Sequence, residues 1–116
     1  MSVQPLVSVI MPVFNASSTL AQALNSVLWQ GYEAIEIVAV DDGSTDDSLR
    51  VLGTYGDAVR VLQQHQQGPA SARNLALQHV RGQYVAFIDA DDVWLPGKLL
   101  RQVAYLQSHP DVSAVF

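Results

Sequence analysis

The sequence predicts a three-layer α/β domain, a mostly parallel sheet with helices on both faces. Three observations carry that expectation. Short β-branched runs alternate with stretches of helical spacing along the chain. Cap or turn residues stand at the junctions. The 116 residues, 49% hydrophobic and 15% charged, suit one domain with one modest core. Strands alternating with helices need crossover connections, and crossovers make neighbouring strands parallel.

Leu6-Val7-Ser8-Val9-Ile10-Met11-Pro12-Val13 opens the chain as a buried strand. Ser17-Ser18 offers an N-cap, and Leu20, Leu24, Val27 and Leu28 then repeat at helical spacing until Gly31. Trp29 is expected in the core at the end of that helix. Ile35 to Val40 is the second strand. Asp46 to Tyr55 is a short helix with Leu49 and Leu52 inward, and Val59 to Leu62 the third strand. Pro69 opens a third helix as a first-turn proline, and that helix runs to Gly82. Tyr84 to Ile88 reads as a fourth, buried strand. Pro96 opens a fourth helix carrying Leu99, Leu100, Val103 and Leu106, closed by His109-Pro110. Val112 to Phe116 reads as a fifth strand. A chain stopping inside a strand suggests one domain over residues 1–116, cut short at its C-terminus.

Composition excludes several classes. Six Lys and Arg against eleven Asp and Glu give a net charge of −5, so the basic footprint of a nucleic-acid binder is missing. With no Cys there is no disulfide, thiol nucleophile or zinc–thiolate site. The first 32 residues carry no charged side chain, yet they lack the basic start of a signal peptide. The apolar run Leu6 to Phe14 is far shorter than the ~20 residues a bilayer requires. The expected location is the cytoplasm, or peripheral to the inner face of the membrane.

Seven of the eleven acids fall in two places, Asp41, Asp42, Asp46 and Asp47, then Asp89, Asp91 and Asp92. Each cluster follows a strand, and open α/β sheets bind ligands at the carboxyl ends of strands. Pro12-Val13-Phe14-Asn15 joins the same edge. Ser44 with Asp47 fits a capping box. That leaves Asp41 and Asp42 unexplained; a carboxylate there can accept a ligand N–H such as that of uracil. On residue chemistry alone, helix start and ligand site both stand.

Asp89, Asp91 and Asp92 repel one another unless a cation or solvent offsets them, and hard oxygen donors suit Mg²⁺ or Mn²⁺. A solvated loop with an N-cap for the next helix is the alternative. Gly68-Pro69-Ala70-Ser71-Ala72-Arg73-Asn74 opens a helix whose amides suit anions, with Arg73 one turn in. His65, His79 and His109 share no ligand spacing. Trp94, beside the acidic loop, reads as core or as a wall of the site. Walker A, G-x-G-x-x-G and G-x-S-x-G are all missing.

Four motifs in order then look like one family. Val9-Ile10-Met11-Pro12-Val13-Phe14-Asn15, Val40-Asp41-Asp42-Gly43-Ser44-Thr45-Asp46, Gly68-Pro69-Ala70-Ser71-Ala72-Arg73-Asn74 and Phe87-Ile88-Asp89-Ala90-Asp91-Asp92 resemble the nucleotide-binding half of family 2 glycosyltransferases. Trp94-Leu95-Pro96-Gly97-Lys98-Leu99 also fits. The resemblance runs from Leu6 to the end. It implies the Rossmann-like A-type glycosyltransferase fold, here truncated. It implies inverting transfer of a sugar from a nucleotide diphosphate, expected to be a UDP-sugar, to a hydroxyl of a glycan or lipid-linked acceptor in polysaccharide synthesis.

The nucleotide-binding set implied by position is Pro12, Phe14, Asp41, Asp42, Arg73 and Asp89. Pro12 and Phe14 would flank the base, Asp42 would bind it, and Arg73 would contact the nucleotide. Phe14 stands where the family often has Tyr, so stacking remains and a hydroxyl is lost. Asp89-Ala90-Asp91 would be the D-x-D motif holding Mn²⁺ or Mg²⁺, through Asp91 first and Asp89 second. His65-Gln66-Gln67 departs from the family's usual Asn before the glycine.

The general base is expected beyond residue 116, so these residues alone would bind donor without transferring sugar. Competing readings are a non-catalytic nucleotide-binding fragment, a signalling receiver domain and a nucleotidyltransferase. The receiver pattern fits poorly, because the acids follow the second and fourth strands. An exposed last strand would favour a homodimer.

Overall fold

The elements of the computed structural model, which describes residues 4–115, follow the alternation in the sequence. They are β1 (Val7–Val13), α1 (Leu20–Leu28), β2 (Ile35–Asp41), α2 (Ser48–Gly53), a 3-10 turn (Gly56–Ala58), β3 (Arg60–Gln63), α3 (Pro69–Leu77), β4 (Tyr84–Phe87) and α4 (Lys98–Ser108). The four strands are parallel, in the order β3-β2-β1-β4. The chain steps outward from β1 to β3, then α3 carries it back across to β4 on the other side of β1.

Period-two alternation divides the core. Val7, Val9, Met11 and Val13 of β1 and Ile37 and Ala39 of β2 meet Leu20, Ala23, Leu24 and Val27 of α1, Leu52 of α2, and Leu99 and Val103 of α4. On the opposite face Ile10, Val38 and Val40 meet Ala72 and Ala76 of α3. Three helices thus cover one face and one covers the other. This is the expected three-layer α/β fold.

Pro12 sits inside a central strand, where proline is normally excluded. The carbonyls of Ile10 and Val13 point to opposite neighbours, Ile10 O accepting from Ile88 N–H and Val13 O from Asp42 N–H. The donor that Pro12 lacks therefore faces β4's side, where pairing has already ended at Ile10↔Phe87. Near the other end of β4 the close approach is at Gly82. A Cβ there would fall 2.5 Å from Ser8 Oγ and 2.6 Å from Ser8 N, and Gly82 N–H donates to that hydroxyl (2.8 Å).

Several sequence expectations are corrected. Trp29 is 74% exposed, because it is out of phase with Leu20, Leu24 and Val27. Gln30 fills the next inward place instead. Its amide donates to Leu95 O (2.7 Å) and accepts from Leu99 N–H (2.9 Å), closing the open start of α4. Thr19, not Ser17 or Ser18, is the N-cap of α1. Leu49 is exposed, because the inward line of α2 runs through Ser48 and Leu52.

The third helix ends at Leu77 rather than near Gly82, and Glu36 takes the Arg81 N–H (2.6 Å) outside any helix. β4 is an edge strand, and Val85 and Phe87 are exposed on the α3 face beyond that helix's reach. The fifth strand does not form over residues 112–115; Val112 N–H instead closes a turn onto His109 O. Phe116 lies outside the described residues. Between the open edge of β4, α4 and residues 113–115 is a hollow of about 630 Å³, with no Asp or Glu in its lining among the described residues.

Candidate functional site

The sheet order places the chemistry. The chain winds one way from β1 to β2 and the other way to β4, so the carboxyl ends of β1 and β4 diverge at a topological switch point. Asp41 ends β2, and Phe14, Asp42 and Asp89 follow strand ends on that edge. Arg73 approaches from the first turns of α3. The structure brings together the three loops that the sequence singled out.

Two of the loops are locked to each other. Asn15, in the left-handed region (φ 47), receives Thr45 N–H on its Oδ1 (2.8 Å). Its own N–H donates to Ser44 Oγ (2.9 Å), and Ala16 N–H donates to Ser48 Oγ (2.9 Å). Asp46 accepts Ser48 N–H on Oδ1 (2.9 Å) and Ser17 N–H on Oδ2 (3.1 Å). The expected Ser44–Asp47 capping box therefore does not form. Ser44 is turned to Asn15, Asp47 is the N-cap without a side-chain cap bond, and Asp46 takes the first helical N–H, that of Ser48.

Hydrogen bonds from Ser48, and then from Ser17, hold the Asp46 carboxyl down at about 2 from its ordinary 3.8. A depressed carboxyl contributes stability that is complete above the unfolded value and lost as pH falls through the folded one. The clamp between the two loops should therefore weaken between pH about 4 and about 2. Thermal melts of wild type and Asp46→Asn across that range check it: their difference should shrink toward pH 2.

Asp42 is 4% exposed. Its Oδ1 accepts from Gln64 Nε2 (2.8 Å) and Gln67 N–H (2.8 Å), and its Oδ2 from Gly68 N–H (3.0 Å). Burial pushes this carboxyl up, but the three donors outweigh it and hold the group below its ordinary value. Gly68 is the N-cap of α3 and brings no capping side chain. Asp42 supplies the anion at that helix start from the end of β2, the strand beside β3. A carboxylate has about four acceptor sites, and three are taken, leaving one on Oδ2.

Asp41 is also buried. Its Oδ2 accepts the N–H of Ser44 (3.3 Å), and its Oδ1 meets no donor among the described residues. Phe14 is 43% exposed beside this edge, an open aromatic face, and Pro12 is half-buried.

Asp89, Asp91 and Asp92 are exposed, and each offers a carboxylate oxygen within 4.8 Å of the others. Three hard oxygen donors at that spacing fit a divalent cation such as Mg²⁺ or Mn²⁺. Arg73 Nη2 lies 3.4 Å from Asp89 Oδ1, an exposed ion pair joining α3 to the acidic loop. Trp94 is buried against α1 and α4, with the Lys98 ammonium 4.5 Å from its ring centroid, so it belongs to the core.

Sequence reasoning missed Gln64, Gln30 and Thr19. Gln64 orients Asp42, and Thr19 Oγ1 donates to Ala90 O (2.9 Å), inside the acidic loop. None of the three had a signal in the sequence, which showed only the need that Asp42 meets. Gly68-Pro69 begins a helix with no polar cap, so a capping group had to come from elsewhere.

Comparison with known proteins gives a consistent result. The family model described as "Glycosyl transferase family 2" matches residues 8–116. An uncharacterized glycosyltransferase of Haemophilus influenzae is 41% identical over 110 residues, covering 90% of this chain and 44% of that protein. The Escherichia coli protein WfgD, named as a UDP-Glc:alpha-D-GlcNAc-diphosphoundecaprenol beta-1,3-glucosyltransferase, is 38% identical over 87% of this chain and 41% of its own length.

Among solved structures, S. aureus TarS 1-349 in complex with UDP-GlcNAc superposes with a TM-score of 0.82 at 32% identity, covering 90% of this chain and 32% of that one. The mannosyltransferase PcManGT of Pyrobaculum calidifontis, in complex with GDP-Man and Mn²⁺, gives 0.81 at 30% identity, covering 90% and 33%. The chain thus spans less than half the length of these relatives.

Proposed function

The chain belongs to glycosyl transferase family 2, and on that premise we propose that it forms the donor half of an inverting enzyme that transfers a sugar from a UDP-sugar to an acceptor hydroxyl. Family membership sets aside the receiver and nucleotidyltransferase readings. One observation carries the proposal: an arginine and three carboxylates meet at the switch point of the sheet, beside an exposed Phe14.

Phe14 and Pro12 flank the base, and the remaining acceptor site of Asp42 takes a ring N–H. Gln64 holds Asp42 in the orientation for that contact. Arg73 leaves Asp89 to reach the diphosphate, where its planar fork matches phosphate oxygens. Asp91 and Asp89 hold Mn²⁺ or Mg²⁺, which when bound offsets charge developing on the departing diphosphate. The acceptor hydroxyl needs a general base. That group and the acceptor pocket are assigned to the part of such enzymes that this chain does not span.

Two relatives inform the finer choices. WfgD is named for a UDP-Glc donor and a lipid-linked acceptor, and TarS is seen with UDP-GlcNAc. We assign this protein a UDP-sugar donor and a glycan or lipid-linked acceptor on the cytoplasmic side of a membrane. Among the described residues no helix is long and apolar enough to cross a bilayer.

Calorimetry with UDP tests the donor site. Binding should require Mn²⁺ or Mg²⁺ and fall at least about tenfold in EDTA. UDP binding of equal strength without metal would remove the role given to the acidic loop.

A further inference from the structure

We propose that Thr19 and Ser26 of α1 are positioning residues that set the spacing of the Asp89 and Asp91 carboxylates for a divalent cation. This rests on the donor-site reading above.

Thr19 occupies the N-cap of α1, where a threonine hydroxyl normally accepts an N–H of its own helix. It makes no such cap bond. Instead Oγ1 donates to Ala90 O, 71 residues away, at 2.9 Å. Ala90 is the middle residue of Asp89-Ala90-Asp91. Its methyl is buried in the core and its carbonyl is tied to Thr19, so the flanking carboxylates are left facing outward, and both are exposed.

Ser26 holds the other end of the loop. It donates to Ala23 O (2.7 Å) and accepts Trp94 N–H (3.0 Å). Thr19 and Ser26 are seven residues apart, two turns on one helix face and about 10 Å along the axis. The loop from Ala90 to Trp94 is therefore strung between two hydroxyls on one rigid helix. A turn bond from Asp92 N–H to Asp89 O (3.0 Å) folds the segment between.

Like charges in a loop without a cation push apart, and the two tethers resist that splaying. Groups that orient metal ligands typically change metal affinity by 10–100-fold when removed.

The test titrates the protein with Mn²⁺, with and without UDP, following free Mn²⁺ by electron paramagnetic resonance. Thr19→Val keeps the shape and loses the donor, and Thr19→Ser keeps the donor. Ser26→Ala removes the second tether independently. Thr19→Val and Ser26→Ala should each weaken Mn²⁺ binding about tenfold, and Thr19→Ser should restore it. Amide hydrogen exchange at Asp92 and Trp94 in metal-free protein should quicken in the same two variants.

Mn²⁺ binding by Thr19→Val and Ser26→Ala within twofold of wild type would overturn the inference and leave the donor-site reading standing. Equal weakening in Thr19→Ser would assign the effect to packing and also overturn it. A wild-type protein that holds no Mn²⁺ in either condition would overturn the donor-site reading itself, and this inference with it.

Discussion

Replacing Asp91 with asparagine is expected to weaken Mn²⁺-dependent UDP binding by about a hundredfold while leaving the fold intact. Asp91 is exposed, its carboxylate has no hydrogen-bond partner among the described residues, and it shares a small volume with Asp89 and Asp92. Removing its charge relieves repulsion in the metal-free protein. The metal-free melting temperature should stay level or rise slightly, the usual pattern where a site keeps unfavourable charge for function. Arg73 should stay on Asp89 in the variant, since their ion pair does not involve Asp91. Calorimetry measures the binding, and thermal melts in EDTA measure the fold. A clear fall in the metal-free melting temperature would assign Asp91 a structural role instead.

Asp42→Ala should be the costliest single change at the site, destabilising the domain by about 3 kcal/mol, because hydrogen bonds to a charged group contribute roughly 1.5–3 kcal/mol each and are not additive. The loss leaves the N–H groups of Gln67 and Gly68 and the Gln64 amide without their acceptor at a partly buried helix start. Asp42→Asn keeps the shape and one acceptor oxygen, so it should lose less than half as much. Denaturant unfolding of the two variants measures the difference. The Asn variant should remain folded yet lose UDP affinity, which separates the base contact from the structural one. Equal stability of wild type and Asp42→Ala would show that the loop 64–68 does not depend on this carboxylate.

The two substitutions also show what could be read in advance. The grouping of Asp89, Asp91 and Asp92 was legible because three acids directly after a strand have little structural reason to be neighbours. The nucleotide role proposed for Asp42 came from resemblance, but its hydrogen bonds did not. Its donors come from residues 22, 25 and 26 positions away, and no local spacing announces them. Trp29 misled because a large aromatic near apolar residues reads as core. Its place one step out of helical phase, and the ability of Gln30 to bond Leu95 and Leu99, turned it outward. Val112 to Val115 misled because β-rich composition marks what a strand is made of and says nothing of whether a partner edge is in register.

By itself the sequence determined the alternation of strands and helices, the parallel sheet, the buried faces of β1, β2 and α1, and the edge on which the acids collect. These follow from burial periodicity and from caps, which act over a few residues. Tertiary structure alone decided which loops lock together. The order β3-β2-β1-β4 opens the switch point between β1 and β4. It sets Arg73 against Asp89, Gly68 against Asp42, and Thr19 against Ala90. Each of those contacts joins residues 16 to 71 positions apart. The physical reason is that such pairings depend on how α3 returns the chain across the sheet, a choice made by the packing of the whole core and not by any local pattern.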